Sequence, residues 1–427
     1  DPLIMTFVEL GGQVVDISQN QHLDLLETSI RPGTIVLDGI LGTGLRLPLR
    51  GVLKEVMGSI QEVLISRPGV PVIAVDCPSG TDCDTGEVSN VTFNAEHTLC
   101  MAALKKGLLK YPGRAYAGKL HLIEIGITDL KPLISDPLPE MITENDVRKV
   151  LPNRPEYGHK GTFGTCQVIA GTEAFTGAAY LTGAAAYRAG CGLVDIATHK
   201  AVQQSLAGQL IEAVWTILPD LEAGYLPNGV DLLEEHLQQA DSIVIGPGFG
   251  MAESTRGFID RLVRKLPPNC PVLFDADGLK LLSHSKHWWE SLPDSTILTP
   301  HPGEMAFLSG MSVDEIQSNR WDVARAFAKR WKVILILKGA QTVIAVPNGD
   351  LNINPVGDPS LASAGSGDVL AGIIGGLLAQ GASPERASIA GVWLHSQAGL
   401  AAKHALGTNV SVMARDILDK LSNVFLS

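Results

Sequence analysis

The densest chemistry in the sequence lies at Ala362-Ser-Ala-Gly-Ser-Gly-Asp368, which runs directly into an apolar stretch over 369–378. Small residues leave backbone N–H groups bare, and the start of a helix adds a partial positive charge, so Ala364, Gly365, Ser366 and Gly367 suit phosphate oxygens. An aspartate there is placed to take a proton from a hydroxyl attacking phosphorus. It serves equally as an ordinary helix cap. Lys338-Gly-Ala-Gln-Thr342 sets a lysine and a threonine around a glycine turn, which suits nucleotide phosphates and is equally a plain β-turn. Thr299-Pro-His-Pro-Gly-Glu304 confines His301 between two prolines, although a lone histidine is ordinarily a satisfied surface residue. Gly246-Pro-Gly-Phe-Gly250 permits close approach of a ligand to the backbone. In the first third, Asp38-Gly-Ile-Leu-Gly-Thr-Gly44 and Asp76-Cys-Pro-Ser-Gly80 each place a carboxylate ahead of a glycine turn. That suits an oxygen-coordinated cation or a substrate hydroxyl, and equally a pair of turn-stabilising aspartates.

These segments need rigid elements to aim them. β-branched runs closed by such loops recur at 34–38, 70–76, 165–170, 242–246, 271–275, 296–299 and 333–337. Their near-continuous hydrophobicity predicts strands buried on both faces, as in parallel sheets. Helical patterns lie between them, for example over 255–266 and 387–406. The alternation predicts an α/β protein made of two doubly wound layers, with ligands beyond the carboxyl ends of the strands. Proline and acidic residues over 129–140, then Leu151-Pro-Asn-Arg-Pro155, mark a boundary that divides the chain into domains at 1–140 and 141–427.

The 427 residues suffice for two such domains, and 45% apolar against 18% charged residues excludes a disordered chain. A net charge of −12 repels polyanions, so no nucleic-acid partner is expected. No apolar run reaches the roughly 18 residues of a membrane span. The six cysteines show no C-x-x-C and no zinc-ligand spacing, which predicts buried free thiols in a reducing cytoplasm. The N-terminus has no signal-peptide pattern and reads as the interior of a longer gene.

With these residues in view, the C-terminal two-thirds resembles the ribokinase-like superfamily and, more narrowly, the nucleotide-dependent NAD(P)H-hydrate dehydratases. The matching segments run in order from His159-Lys-Gly161 through Gly171, Gly177-Ala-Ala179, Gly246–Gly250, Asp275-Ala-Asp277, His301–Glu304 and Lys338–Thr342 to Gly365–Asp368. The resemblance implies dehydration of the S-epimer of hydrated NADH or NADPH at the expense of ADP or ATP, with Mg2+ bridging phosphates. In its terms Asp368 is the general base. Ala178, Gly248 and His301 meet the hydrate, while Lys338, Gly339, Ala340, Gln341, Thr342 and the 358–367 loop hold the nucleotide.

The first domain resembles the second half of an NAD(P)HX epimerase domain with a partial Rossmann-like fold. The resemblance assigns a potassium ion to Asp38 and Ser79, and the substrate to Gly42, Thr43, Gly44 and Asp76. The family's Asn-Asn-Gly-Gly-Asp loop does not occur in residues 1–427. Epimerase activity is therefore not expected of this chain, and its first sheet is expected to expose apolar surface. A homo-oligomer is expected. Two alternatives stand beside this reading: a vitamin-precursor kinase of the same superfamily, and a first domain that serves only for binding or oligomerisation.

Overall fold

The computed structural model describes residues 2–15, 26, 28–127, 138–221 and 224–425. It divides into two compact units, Asp1–Ser135 and Asp136–Ser427. The expected linker over 129–140 lies mostly outside the described residues.

In the first unit, helix α1 (Pro2–Glu9) precedes strand β1 (Val36–Asp38), helix α2 (Gly51–Ser66) and strands β2 (Val72–Val75), β3 (His97–Met101) and β4 (Lys119–Ile123). The four strands pair in parallel in the order β1-β2-β3-β4. Val56, Met57, Ile60 and Val63 recur at helical spacing on α2 and form its buried face; with Val72, Ala74 and Phe93 they make one core cluster. Ile35, Leu37 and Leu122 are exposed, so this sheet keeps apolar side chains in contact with solvent.

The second unit is built on ten strands: β5 (Glu140–Met141), β6 (Thr165–Ile169), β7 (Leu193–His199), β8 (Val214–Leu218), β11 (Ser242–Ile245), β12 (Val272–Phe274), β13 (Thr296–Leu298), β14 (Ile334–Leu337), β15 (Val343–Ala345) and β16 (Leu351–Ile353). The short strands β9 (Asp220–Leu221) and β10 (Gly224–Tyr225) form a separate antiparallel pair. The order in the large sheet is β5-β16-β15-β14-β13-β12-β11-β6-β7-β8. From β14 to β8 every pairing is parallel, as the hydrophobic runs predict. β15 pairs antiparallel to both β14 and β16, so the sheet is mixed at that edge. The chain winds from β6 outward to β7 and β8, then returns to β11 beside β6 and winds the other way. Such a reversal opens a crevice beyond the strand ends.

Helices α3 (Thr176–Arg188), α4 (Glu253–Val263), α5 (Pro302–Ser309), α6 (Arg320–Trp331), α7 (Ser366–Ala379), α8 (Pro384–Leu406) and α9 (Ala414–Val424) pack around this sheet. Glycines set the depth of α7. A Cβ on Gly372 would strike the Thr182 carbonyl, and one on Gly376 would lie 2.5 Å from the Ala186 carbonyl, both on α3. A Cβ on Gly375 would strike Val244 of β11. The helix that starts at the glycine loop is therefore seated backbone-close between α3 and the sheet. Among the described residues no helix is long and apolar enough to cross a membrane. All six cysteines are buried and free, as expected from their spacing.

Candidate active site

The crevice at the carboxyl ends of β6, β11, β12, β13 and β14 gathers the loops singled out in the sequence. Gly171, after β6, donates its N–H to the Pro247 carbonyl at 2.8 Å, and Thr172 Oγ1 donates to the Gly248 carbonyl at 3.0 Å. A Cβ on Gly248 would stand 2.7 Å from that of Ala178, so these two predicted substrate residues sit wall to wall. Gly246 must be glycine on two counts: its φ is +112°, and a Cβ would strike the Asp275 carbonyl.

Asp275, at the end of β12, is 1% exposed. It accepts from Lys338 Nζ at 2.7 Å and from Thr299 Oγ1 at 2.6 Å. Burial disfavours the charge on Lys338, but the carboxylates of Asp275 and Glu304 outweigh it, and the ammonium is held above its usual range. The glycine loop closes over this pair: a Cβ on Gly367 would lie 3.3 Å from Lys338 Nζ and 3.6 Å from Asp275 Oδ2.

Asp368 is the third residue of α7, and the helix has no side-chain cap. The capping alternative for Asp368 therefore fails: its carboxylate accepts no hydrogen bond among the described residues. Burial first, and the Asp275 charge second, push its pKa up to about 7, against the pull of Lys338. A carboxylate poised near neutrality with free lone pairs has the character of a general base. Gly365 takes φ +86° to turn the chain into α7, and Ser366 Oγ is tied back to the Leu361 carbonyl at 2.7 Å.

His301 does cap a helix. Its Nδ1 accepts from the N–H groups of Gly303 and Glu304 at 3.0 and 3.2 Å. The proton of the neutral ring is thereby placed on Nε2, which faces Glu304 Oε1 at 3.2 Å. Burial, partly opposed by Glu304, lowers the His301 pKa, so the ring is a neutral donor with a half-exposed edge. Glu304 is itself buried, accepts from the His301 N–H at 2.8 Å and lies 3.6 Å from Lys338 Nζ. It joins the predicted substrate side to the predicted nucleotide side. Sequence reasoning quoted Glu304 and Asp275 without giving either a task, since 63 residues separate Asp275 from its lysine. His395 on α8 was missed entirely; it is buried with Nε2 unpartnered, and burial lowers its pKa to about 4.

On the nucleotide side, the Lys338–Thr342 turn packs against Gly357, where a Cβ would strike the Ala340 carbonyl. Asp358 accepts from Lys403 Nζ of α8 at 2.7 Å, which anchors the start of the 358–367 loop.

In the first unit, Asp38 and Ser79 meet as expected: Ser79 donates its N–H and its hydroxyl to the carboxylate at 2.7 and 2.5 Å. Asp76 stands apart, at φ +72°, paired with Lys105 and accepting from the Met101 N–H at 2.9 Å. Gly42, Thr43 and Gly44 are exposed and make no hydrogen bond to Asp76 among the described residues. Lys105 carries no local motif, and sequence reasoning missed it.

Comparison with known proteins agrees with this geometry. Residues 166–423 match the family described as NAD(P)H-hydrate dehydratase, and residues 4–107 match the YjeF-related protein N-terminus. The bifunctional NAD(P)H-hydrate repair enzyme Nnr of Moorella thermoacetica is 36% identical over 98% of this chain and 78% of its own length. The Escherichia coli protein of the same name is 35% identical over 91% of this chain and 71% of its own length. Among solved structures, an ADP/ATP-dependent NAD(P)H-hydrate dehydratase from Bacillus subtilis, co-crystallized with ATP/Mg2+, superposes with a TM-score of 0.56 at 33% identity. That match covers 67% of this chain and 97% of the other. A ribokinase-like superfamily protein from Enterococcus faecalis, 24% identical with a TM-score of 0.58 over 66% of this chain and 94% of its own, shares the fold. The chain belongs to the family of bifunctional NAD(P)H-hydrate repair enzymes, and its second unit is an NAD(P)H-hydrate dehydratase, a hydro-lyase, with the fold of the ribokinase-like protein.

Proposed function

We propose that the second unit removes water from the S-epimer of hydrated NADH or NADPH by phosphorylating the ring hydroxyl with ADP or ATP. The observation that carries this reading is Asp368: unbonded, with its pKa raised to about 7, and beside the Lys338–Asp275 pair. Hydroxide is a poor leaving group and phosphate a good one. Asp368 accepts the proton as the hydroxyl oxygen bonds to the terminal phosphorus and the nucleotide leaves one phosphate shorter. The ring nitrogen's lone pair then expels phosphate, and loss of a proton from the adjacent carbon restores the dihydropyridine.

Ala178, Gly248 and His301 hold the hydrate, with the His301 Nε2 proton as donor. Lys338, Gly339, Ala340, Gln341 and Thr342 hold the nucleotide together with Ala364, Gly365, Ser366 and Gly367. The Ser366 N–H is already given to the Ser363 carbonyl at 3.2 Å, so the amides assigned to the transferring group are those of Ala364, Gly365 and Gly367. We assign Mg2+ to the nucleotide's own phosphates, supported by the Bacillus subtilis dehydratase co-crystallized with ATP/Mg2+. When bound, that ion neutralises phosphate charge.

In the first unit we assign substrate contact to Gly42, Thr43, Gly44 and Asp76, and a potassium ion to the carboxylate and hydroxyl oxygens of Asp38 and Ser79. Both Asp38 oxygens already accept from Ser79, so the pair is self-satisfied and a weak cage by itself. On that ground, pure R-epimer supplied with ADP is expected to return NADH no faster than spontaneous epimerisation allows. We further propose a cytoplasmic location, supported by six reduced, buried thiols, and a homo-oligomer, which sedimentation would test.

The dehydratase reading is tested by product analysis. Free phosphate with restored absorbance at the NADH band supports it, whereas a stable phosphate ester would mark a small-molecule kinase.

A further inference from the structure

Arg320, the first residue of α6, reaches into the turn that follows β14. Its Nη2 donates to the carbonyls of Leu337 at 2.9 Å, Lys338 at 3.1 Å and Gln341 at 3.3 Å, while Nη1 donates to Gln317 Oε1 at 2.8 Å. No carboxylate accepts from it among the described residues. Burial, unopposed by any acid, lowers its pKa to about 10. The backbone is pressed against the guanidinium: a Cβ on Gly339 would lie 2.6 Å from Nη2 and 2.9 Å from Cζ.

A peptide unit points its N–H away from its C=O. The Lys338 carbonyl shares its peptide unit with the Gly339 N–H, and the Gln341 carbonyl with the Thr342 N–H, so drawing both carbonyls onto one cation turns those two amides the other way. The N–H groups of Gly339 and Thr342 make no hydrogen bond among the described residues, nor do those of Ala340 and Gln341. Gln341 adds an independent sign of a missing ligand, because its side chain is 7% exposed and its Nε2 donor has no partner. Outward amides, an orphaned amide donor and a cation with no counter-charge together form a concavity for an anion.

We propose that Arg320 is the positioning residue of the nucleotide turn, gathering three carbonyls so that the Gly339 and Thr342 amides and the Gln341 side chain face the nucleotide's phosphates over an uncompensated positive charge. This rests on the assignment of Lys338–Thr342 to the nucleotide. Arg320 acts through the turn and touches neither the hydrate nor the reacting atoms.

The test measures ADP, ATP and adenosine binding by calorimetry for wild type, Arg320→Gln, Arg320→Lys and Gly339→Ala, with steady-state kinetics for the hydrate. Arg320→Gln is expected to weaken ADP roughly ten- to a hundredfold, the range for losing charge-assisted bonds. Adenosine binding and the KM for the hydrate should stay within about twofold, and kcat at saturating nucleotide should stay within several-fold. Arg320→Lys keeps the charge without the fork and should recover part of the loss. Gly339→Ala leaves Arg320 in place but displaces the guanidinium, and should show the same phosphate-selective loss even where Arg320→Gln folds poorly. Unchanged ADP affinity in both Arg320→Gln and Gly339→Ala, with only thermal stability lowered, would overturn the proposal. If Lys338→Ala also leaves ADP affinity unchanged, the nucleotide assignment itself falls; if Lys338→Ala alone weakens ADP, only the role of Arg320 falls.

Discussion

Lys338 Nζ donates to Asp275 Oδ1 at 2.7 Å, joining the end of β14 to the end of β12 across β13. The lysine shares its charge between Asp275 and Glu304 and leaves Asp368 unbonded beside them. One carboxylate is thus bonded to the ammonium, while its unbonded neighbour Asp368 has its pKa pushed up to about 7, the arrangement that separates a structural acid from a proton acceptor.

The first prediction concerns pH. Asp368 must be ionised to accept a proton, so kcat/KM should rise with pH to an inflection near 7 and flatten above it. Asp275→Asn removes the neighbouring negative charge and frees Lys338; both effects lower the Asp368 pKa, and the acid limb should move to lower pH.

Stability follows the opposite sign. A carboxyl whose folded-state pKa lies above its unfolded value costs nothing at pH 3, where both states are protonated. Between about pH 4 and 7 the unfolded chain ionises first and stability is lost. Asp368→Asn should therefore raise Tm relative to wild type at pH 7.5 and have little effect at pH 3.5, read by calorimetry at the two pH values.

Lys338→Ala should weaken the nucleotide more than the hydrate, as titration with each ligand separately would show. It also leaves the Asp275 carboxylate, 1% exposed, with Thr299 as its remaining side-chain donor. Breaking a buried pair from one side costs about 3 kcal/mol, and denaturant unfolding should show a loss of that order.

Gly372→Ala tests the seating of α7. The new methyl group meets the Thr182 carbonyl of α3, so the helix must lift or bend. A loss of roughly 1–3 kcal/mol is expected from such overpacking. Since α7 carries Asp368, kcat should fall further than the KM for either ligand changes.

How far the sequence discloses this molecule depends on how local each feature is. β6, β11, β12, β13 and β14 lie within the predicted runs because strands buried on both faces read as unbroken β-branched stretches, and the loops closing them carry Gly246, His301 and Lys338. β3 is harder to see: in His97-Thr-Leu-Cys-Met101 polar residues interrupt the apolar pattern. Lys338–Thr342 is legible as a turn, and it is the hairpin connection from β14 into β15; what the local pattern does not disclose is the short strand β15 and its antiparallel pairing. Asp275, Glu304, Arg320 and Lys105 act through partners placed by tertiary folding, and no spacing in the chain announces such pairs. His301 shows the converse, since the motif is legible but its capping bonds, which fix the tautomer, emerge only with α5 folded.

The most direct test follows absorbance at the NADH band after purified S-NADHX is added with ADP, and separately with ATP, to wild type and to Asp368→Asn. Wild type should restore the band only when nucleotide is present, releasing one phosphate per NADH formed. The Asp368→Asn variant should be slower by about 10²–10⁴ while binding nucleotide within several-fold of wild type. Turnover by the variant at near wild-type rate, or recovery of NADH by wild type without nucleotide, would contradict the account.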